Sequence, residues 1–331
     1  MVESRLSPYA TPSATREVLE RHGLYTKYAL GQNFLVNDDV VRKILQLADV
    51  GEADHVLEVG PGIGTLTSAL LQKAARVTSV EMDHDLPLVL QDTLAPWLSR
   101  FTLLEMDALA LDRRILEQVA ADCASTRASS ASGGLELGSK ARPSGDYPPD
   151  LPNKLVSNLP YAVAATIVLD YLQRFDFLES ATVMVQKEVA DRMMAKPGTK
   201  TYGAYTVKLA LFAHPSGRFS VAPGNFFPPP HVESAVIRLD GAVPTDDDGA
   251  PLARELQLAA CTMADAAFAT RRKTLSNSCK TYFSSSPEIQ SALPGIFEEA
   301  AVDPHRRGET LSLAEFVRLG KAYLSVKQAT G

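Results

Sequence analysis

The stretch Val56-Leu57-Glu58-Val59-Gly60-Pro61-Gly62-Ile63-Gly64-Thr65-Leu66-Thr67 constrains the fold more than any other. An apolar run of strand length enters a glycine-rich turn, and Leu66, Ala69 and Leu70 then recur at helical spacing. Strands and helices alternate in this way from Val56 to about Val185. Parallel strands need a crossover between them, so the pattern predicts an α/β fold with a doubly wound, Rossmann-like sheet. Runs around Arg218 to Val221 and Val232 to Leu239 read as an antiparallel closing pair. Upstream, 1 to about 11 reads as a loose polar tail, followed by helices over Ala14 to His22 and Asp38 to Ala48. Past the acidic linker Thr245-Asp246-Asp247-Asp248-Gly249-Ala250, the residues Leu252, Leu256, Ala259, Met263 and Ala266 set a helical period with little strand signal after it. The expected domains are an N-terminal extension over 1–26, a main domain over 27–244 and a small all-helical domain over 245–331. A helix is expected over Asp112 to Ala121, then a linker-like insertion over 123–150, rich in Ser, Gly and Pro.

The strand ends carry the chemistry. Glycines let the backbone approach a ligand closely, and the following helix start offers N–H groups to an anion. The spacing Gly60-x-Gly62-x-Gly64 is shorter than the dinucleotide fingerprint. The strand from Arg76 ends at Glu81, a carboxylate placed for the hydroxyls of a ribose, and the strand from Phe101 ends near Asp107, which can accept from an adenine amino group. Taken singly, each acid reads as a surface carboxylate. The apolar run Lys154-Leu155-Val156-Ser157 leads into Asn158-Leu159-Pro160-Tyr161. An Asn oxygen and the carbonyl of Leu159, ahead of the proline, can accept from an exocyclic base amine, and Tyr161 offers a face for an extruded base. An ordinary Asn–Pro turn would contain the same residues. Taken jointly, the four strand ends describe an S-adenosylmethionine site beside a nucleobase pocket.

Bulk properties bound the partners. The formal net charge of −6 runs against the basic character of most nucleic-acid-binding domains, but net charge does not describe the local field. Arg271-Arg272-Lys273 and His305-Arg306-Arg307 are basic clusters, with Lys187, Arg192, Lys196 and Lys200 earlier in the chain. The triplet Arg271, Arg272 and Lys273 is the candidate RNA contact, although Arg271 can instead lie over the core near Phe268. No apolar run has the length of a membrane span and the first residues lack a signal-peptide core. Three widely spaced cysteines, Cys123, Cys261 and Cys279, suit a reducing cytoplasm and argue against a disulfide framework or a zinc site.

From about Lys27 onward the chain resembles the small-subunit ribosomal RNA adenine dimethyltransferases, the KsgA or RsmA family. The blocks that carry the resemblance are Gly31-Gln32-Asn33-Phe34-Leu35, the glycine turn, Asn158-Leu159-Pro160-Tyr161, Gln186-Lys187-Glu188-Val189-Ala190, Tyr202-Gly203, Phe226-Phe227-Pro228-Pro229-Pro230-His231-Val232-Glu233-Ser234, Phe268 through Leu275, and Arg307 through Ser312. The later blocks set it apart from the antibiotic-resistance methyltransferases of large-subunit RNA. The resemblance implies that Asn33, Leu35, Gly60, Glu81, Asp107 and Asn158 contact S-adenosylmethionine, with no metal required. It also implies a substrate of two adjacent adenosines in a hairpin near the 3′ end of small-subunit rRNA, dimethylated at N6 within an assembling subunit by a monomeric, cytoplasmic enzyme. The alternatives are an adenine methyltransferase of another RNA or DNA, and an assembly factor in which methylation is secondary. A small-molecule methyltransferase would have no use for Asn158-Leu159-Pro160-Tyr161 or the basic helical region.

Overall fold

The computed structural model describes residues 5–25, 32–130, 151–242, 244, 245 and 249–330, without the side chains of 123–130, 329 and 330. Gly31, residues 131–150 of the expected insertion and 246–248 of the expected linker lie outside the described residues. Contacts divide the chain into two compact units, one of 1–187 with 215–240 and the other of 188–214 with 241–331.

The first unit opens with α1 (Pro12–Arg21), β1 (Phe34–Leu35) and α2 (Asp38–Ala48). Asn37 caps α2 by accepting from the Asp39 N–H, Asp38 and Asp39 occupy its first turn, and Val40, Val41, Ile44, Leu45 and Ala48 form its buried stripe. Then follow β2 (His55–Val59), α3 (Thr65–Leu71), β3 (Arg76–Glu81), α4 (Leu86–Thr93), β4 (Phe101–Glu105), α5 (Arg113–Ser130), β5 (Lys154–Asn158), α6 (Ala164–Arg174) and β6 (Ser180–Gln186). Two helices of the second unit come next, α7 (Lys187–Met193) and α8 (Ala204–Ala210), before β7 (Ala213–Val221), β8 (Phe226–Phe227) and β9 (Ser234–Gly241).

The sheet order is β4-β3-β2-β5-β6-β9-β7, with β4 through β6 parallel and β9 antiparallel to β6 in the register Ser180↔Asp240 to Gln186↔Ser234. Every residue of β2 is buried, as a central parallel strand covered on both faces requires. The chain winds outward through β2, β3 and β4, then returns past β2 to build β5 and β6. The crossover direction therefore reverses between β2 and β5, where ligands bind in open α/β sheets. Gly60 and Asn158 lie at the carboxyl ends of those two strands.

Two expectations need correction. Residues 5–11 are not a loose tail. The Leu6 and Ser7 N–H groups donate to the Asp38 carboxylate at 3.2 and 2.8 Å, Ser7 is fully buried, and the Tyr9 hydroxyl donates to the Thr93 carbonyl at 2.7 Å. Polar partners distant in sequence hold this segment, and no periodicity reveals such partners. The helix expected to stop near Ala121 continues to Ser130, so the first residues of the expected insertion are helical. No glycine or proline interrupts 113–130, and extending an existing helix costs far less than nucleating one.

In the second unit, α9 (Arg254–Phe268), α10 (Leu275–Tyr282), α11 (Pro287–Glu299) and α12 (Leu313–Thr330) follow the sheet. Helices α8, α10 and α12 pack on α9 around Met263, Leu275, Leu293, Ile296 and Phe316. Residues 188–214 group with these helices, so the helical unit begins in the middle of the chain as well as after the expected boundary near 245.

Candidate active site

The cavity at the reversal of the sheet is lined by 32–35, the end of β2 and the turn after it, the start of α3, the end of β3, the start of α4, and 158–161. The turn takes its shape from Gly60 and Gly62, whose φ values of 70° and 59° disfavour L side chains. A Cβ on Gly62 would also stand 3.1 Å from the Phe34 ring, so the close approach of β1 depends on that glycine. Gly64 lies outside the cavity lining, and a Cβ there would stand 3.1 Å from Thr93 and Leu94.

Asn33 and Leu35 both line the cavity, Leu35 from β1, which pairs with β8. Glu81 ends β3 and faces the same space. Its Oε1 accepts from the Met82 and Asp83 N–H groups at 2.9 Å each, and the Gly62 N–H of the glycine turn also bonds to the carboxylate. Burial raises its pKa, opposed by the backbone hydrogen bonds it accepts. Asp107 lies two residues past the end of β4, near it as expected, but stands exposed, outside the cavity lining. Its carboxylate accepts from the Leu109 N–H at 2.9 Å and caps a short turn, and the Tyr171 hydroxyl holds the Ala108 carbonyl of that turn at 2.8 Å.

At the end of β5, Asn158 Nδ2 donates to the Asn33 carbonyl at 3.3 Å, which leaves Oδ1 as an acceptor. The Leu159 N–H is taken by the Met184 carbonyl at 3.1 Å, whereas the Leu159 carbonyl accepts no hydrogen bond among the described residues. Tyr161 is half-buried, and its hydroxyl is 2.6 Å from Ser234 Oγ in β9. Two acceptors and a fixed aromatic ring thus stand together, with Pro160 packed on Gly60.

Glu58, within the strand that enters the glycine turn, is the most perturbed acid of the cavity wall and has no role among the expected site residues. It is 1 % exposed, Oε2 accepts from Thr67 and Ser79 at 2.7 and 2.9 Å, and burial raises its pKa to about 7. The signal was a carboxylate within the apolar run Val56-Leu57-Glu58-Val59, where an unpaired charge is costly. Thr65, the first residue of α3, lines the cavity with a buried Oγ1 that has no partner among the described residues.

These groups fit S-adenosylmethionine. Glu58 and Glu81 suit a cation and a ribose, the glycine turn admits a ligand against the backbone, and the Thr65 hydroxyl lacks a partner. Among the described residues no group of acidic, His or Cys side chains has the arrangement of a metal site. The expected RNA contacts Arg271, Arg272 and Lys273 are all exposed. Arg271 bonds Glu309 at 3.2 Å and the Lys200 carbonyl, so it joins segments of the helical unit.

Sheet order, glycine turn and strand-end acids define an S-adenosylmethionine-dependent methyltransferase. The family model described as ribosomal RNA adenine dimethylase matches residues 24–319, and the chain belongs to that family. It is therefore an enzyme that dimethylates adenine in ribosomal RNA. The ribosomal RNA small subunit methyltransferase A of Enterococcus faecalis is 37 % identical over 314 residues, 95 % of each chain. That of Corynebacterium diphtheriae is 35 % identical over 322 residues, 96 % of each. Among solved structures, a dimethyladenosine transferase from Plasmodium falciparum superposes with a TM-score of 0.65 at 19 % identity, covering 89 % of this chain and 98 % of that one. The 23S rRNA methyltransferase ErmE gives 0.57 at 20 % identity, covering 88 % and 99 %. At these identities the two structures establish the fold alone.

Proposed function

We propose that the chain dimethylates N6 of two adjacent adenosines in a hairpin near the 3′ end of small-subunit rRNA within an assembling subunit, with Asn158, Leu159, Pro160 and Tyr161 presenting the amine. When bound, S-adenosylmethionine supplies a methyl group on a sulfonium, already an excellent leaving group. The work left to the chain is alignment and exclusion of water. An exocyclic adenine nitrogen is a poor nucleophile while its lone pair is delocalised into the ring. Asn158 Oδ1 and the Leu159 carbonyl accept its two N–H groups and draw the nitrogen toward tetrahedral geometry, which frees the lone pair. A monomethylated amine keeps one N–H, so either acceptor can serve the second transfer. Tyr161 stacks on the extruded base. The amine's proton leaves to water once the nitrogen is cationic.

One observation carries this reading: the Asn158 amide nitrogen is spent on the Asn33 carbonyl, so its oxygen is the acceptor, beside a Leu159 carbonyl that accepts no other bond among the described residues. The names of the relatives above support the small subunit as the source of the RNA. Asn33, Leu35, Gly60, Glu81 and Asn158 hold the cofactor, and Arg272 and Lys273 meet phosphate. Asp107, just past the end of β4, accepts from the adenine amino group of the cofactor. The enzyme works as a monomer in the cytoplasm. Mass spectrometry of small-subunit rRNA from cells lacking the protein tests the reading. Loss of N6,N6-dimethyladenosine is expected, and its persistence refutes it.

A further inference from the structure

Residues 32–35 lie along the cavity wall, tied at both ends of the cavity. At one end Gln32 Nε2 donates to Asp83 Oδ2 at 2.7 Å, just beyond β3. At the other, the Asn33 carbonyl accepts from Asn158 Nδ2 at 3.3 Å. Past Asn33 the chain is fixed by the pairing of Phe34 and Leu35 with β8, and by the Val36 N–H on the Asn225 carbonyl. We propose that Asp83 is a positioning residue for Asn158, acting through Gln32 and the backbone carbonyl of Asn33.

Asp83 is itself held firmly. It is 7 % exposed, its Oδ1 accepts from the Asp85 N–H at 3.1 Å, and its own N–H donates to Glu81 Oε1 at 2.9 Å. A side chain fixed in this way can set the height of Gln32 over the cavity. The peptide carbonyl of Asn33 lies between that tether and the β1 pairing, so its direction depends on both. The bond it accepts from Asn158 is near the long end of the hydrogen-bond range and weakens quickly if the carbonyl turns away. An asparagine amide freed from its partner rotates between two orientations of similar cost, and one of them presents donors where the adenine amine needs an acceptor. The Asp83–Gln32 contact therefore selects the productive orientation of Asn158 without touching the substrate. This proposal rests on the reading of Asn158 as the amine acceptor.

The test compares Asp83→Ala, Gln32→Ala, the double variant and Asp83→Asn in the full-length protein, checking that each melts cooperatively. Single-turnover methylation of undermethylated small subunits at saturating S-adenosylmethionine should slow about tenfold in each Ala variant. The double variant should be no slower than the singles, because both break one tether. Asp83→Asn should stay within about twofold of wild type, since Asn keeps the Asp85 contact and Gln32 can turn its amide oxygen to the new Nδ2. A second readout needs no cofactor. In protein labelled with ¹⁵N-asparagine, the Asn158 side-chain amide peak, assigned by its loss in Asn158→Ala, should shift in both Ala variants and return in Asp83→Asn. Additive losses, an Asp83→Asn variant as slow as Asp83→Ala, or an unmoved Asn158 peak overturns the proposal. Wild-type turnover by Asn158→Ala would instead overturn the reading of the site, whatever Asp83 does.

Discussion

Glu58→Gln gives a sharp quantitative test of the cavity. Glu58 is buried in β2 with its Oε2 between the hydroxyls of Thr67 and Ser79. Burial is the largest cause of its raised pKa, the two hydroxyls oppose it, and the charge on Glu81 adds to it. A carboxylate whose pKa rises on folding binds its proton more tightly in the native state. Its stabilisation is fully present below the unfolded value and is lost as pH climbs through the folded one. The displacement from 4.5 to about 7, at about 1.4 kcal/mol per pH unit, amounts to roughly 3 kcal/mol lost between pH 4.5 and 8 in the cofactor-free protein. Glutamine keeps the shape and one acceptor for both hydroxyls but cannot ionise. The variant should therefore match wild type near pH 5 and exceed it near pH 8, by a Tm several degrees higher. Cofactor binding should show the reverse trend. A cationic ligand favours ionised Glu58, so wild-type affinity should strengthen as pH rises through about 7 while the affinity of Glu58→Gln stays flat. Differential scanning calorimetry from pH 5 to 8 and titration calorimetry with S-adenosylmethionine measure the two effects. A Tm difference between variant and wild type that does not change with pH would refute a titrating Glu58.

Three further outcomes follow from the geometry. Asn158→Ala should slow methyl transfer about ten- to a hundredfold, from a hydrogen bond of about 1–3 kcal/mol lost in a desolvated site, and single-turnover rates at wild-type level would sink the amine mechanism. Tyr161→Phe should cost only a fewfold, because the Ser234 contact sets the ring's position but the ring does the stacking, whereas Tyr161→Ala should be severe; equal losses in the two variants would assign the role to the hydroxyl. Replacing Arg272 and Lys273 by Ala should lower the slope of log affinity against log salt for RNA by about two, while Arg271→Ala should chiefly lower the Tm through loss of the Glu309 bond; filter binding across a salt series and melting curves decide.

Much of the fold was legible because local signals and tertiary structure agree. Strand β4 and helix α2 stand where apolar periodicity puts them, and Glu81 and Asn158 end their strands as expected. The reach of α5 to Ser130 was not legible, because a helix continued by propensity alone carries no apolar stripe. Nor was the clamped segment before α1, whose partners, Asp38 and Thr93, are remote in sequence.

The same division holds at the site. By itself the sequence determined which residue types end each parallel strand, since apolar runs, glycines and acids at fixed spacing are consequences of local chain geometry. Only the tertiary structure decided which of them share one cavity. It admitted Asn33, Glu58 and Asn158, set Asp107 and Gly64 outside its lining with the Asp107 carboxylate on the Leu109 N–H, and gave Arg271 an ion pair. The physical reason is that a side chain's hydrogen-bond partner is settled by competition among all groups within about 3 Å, most of which lie far away along the chain.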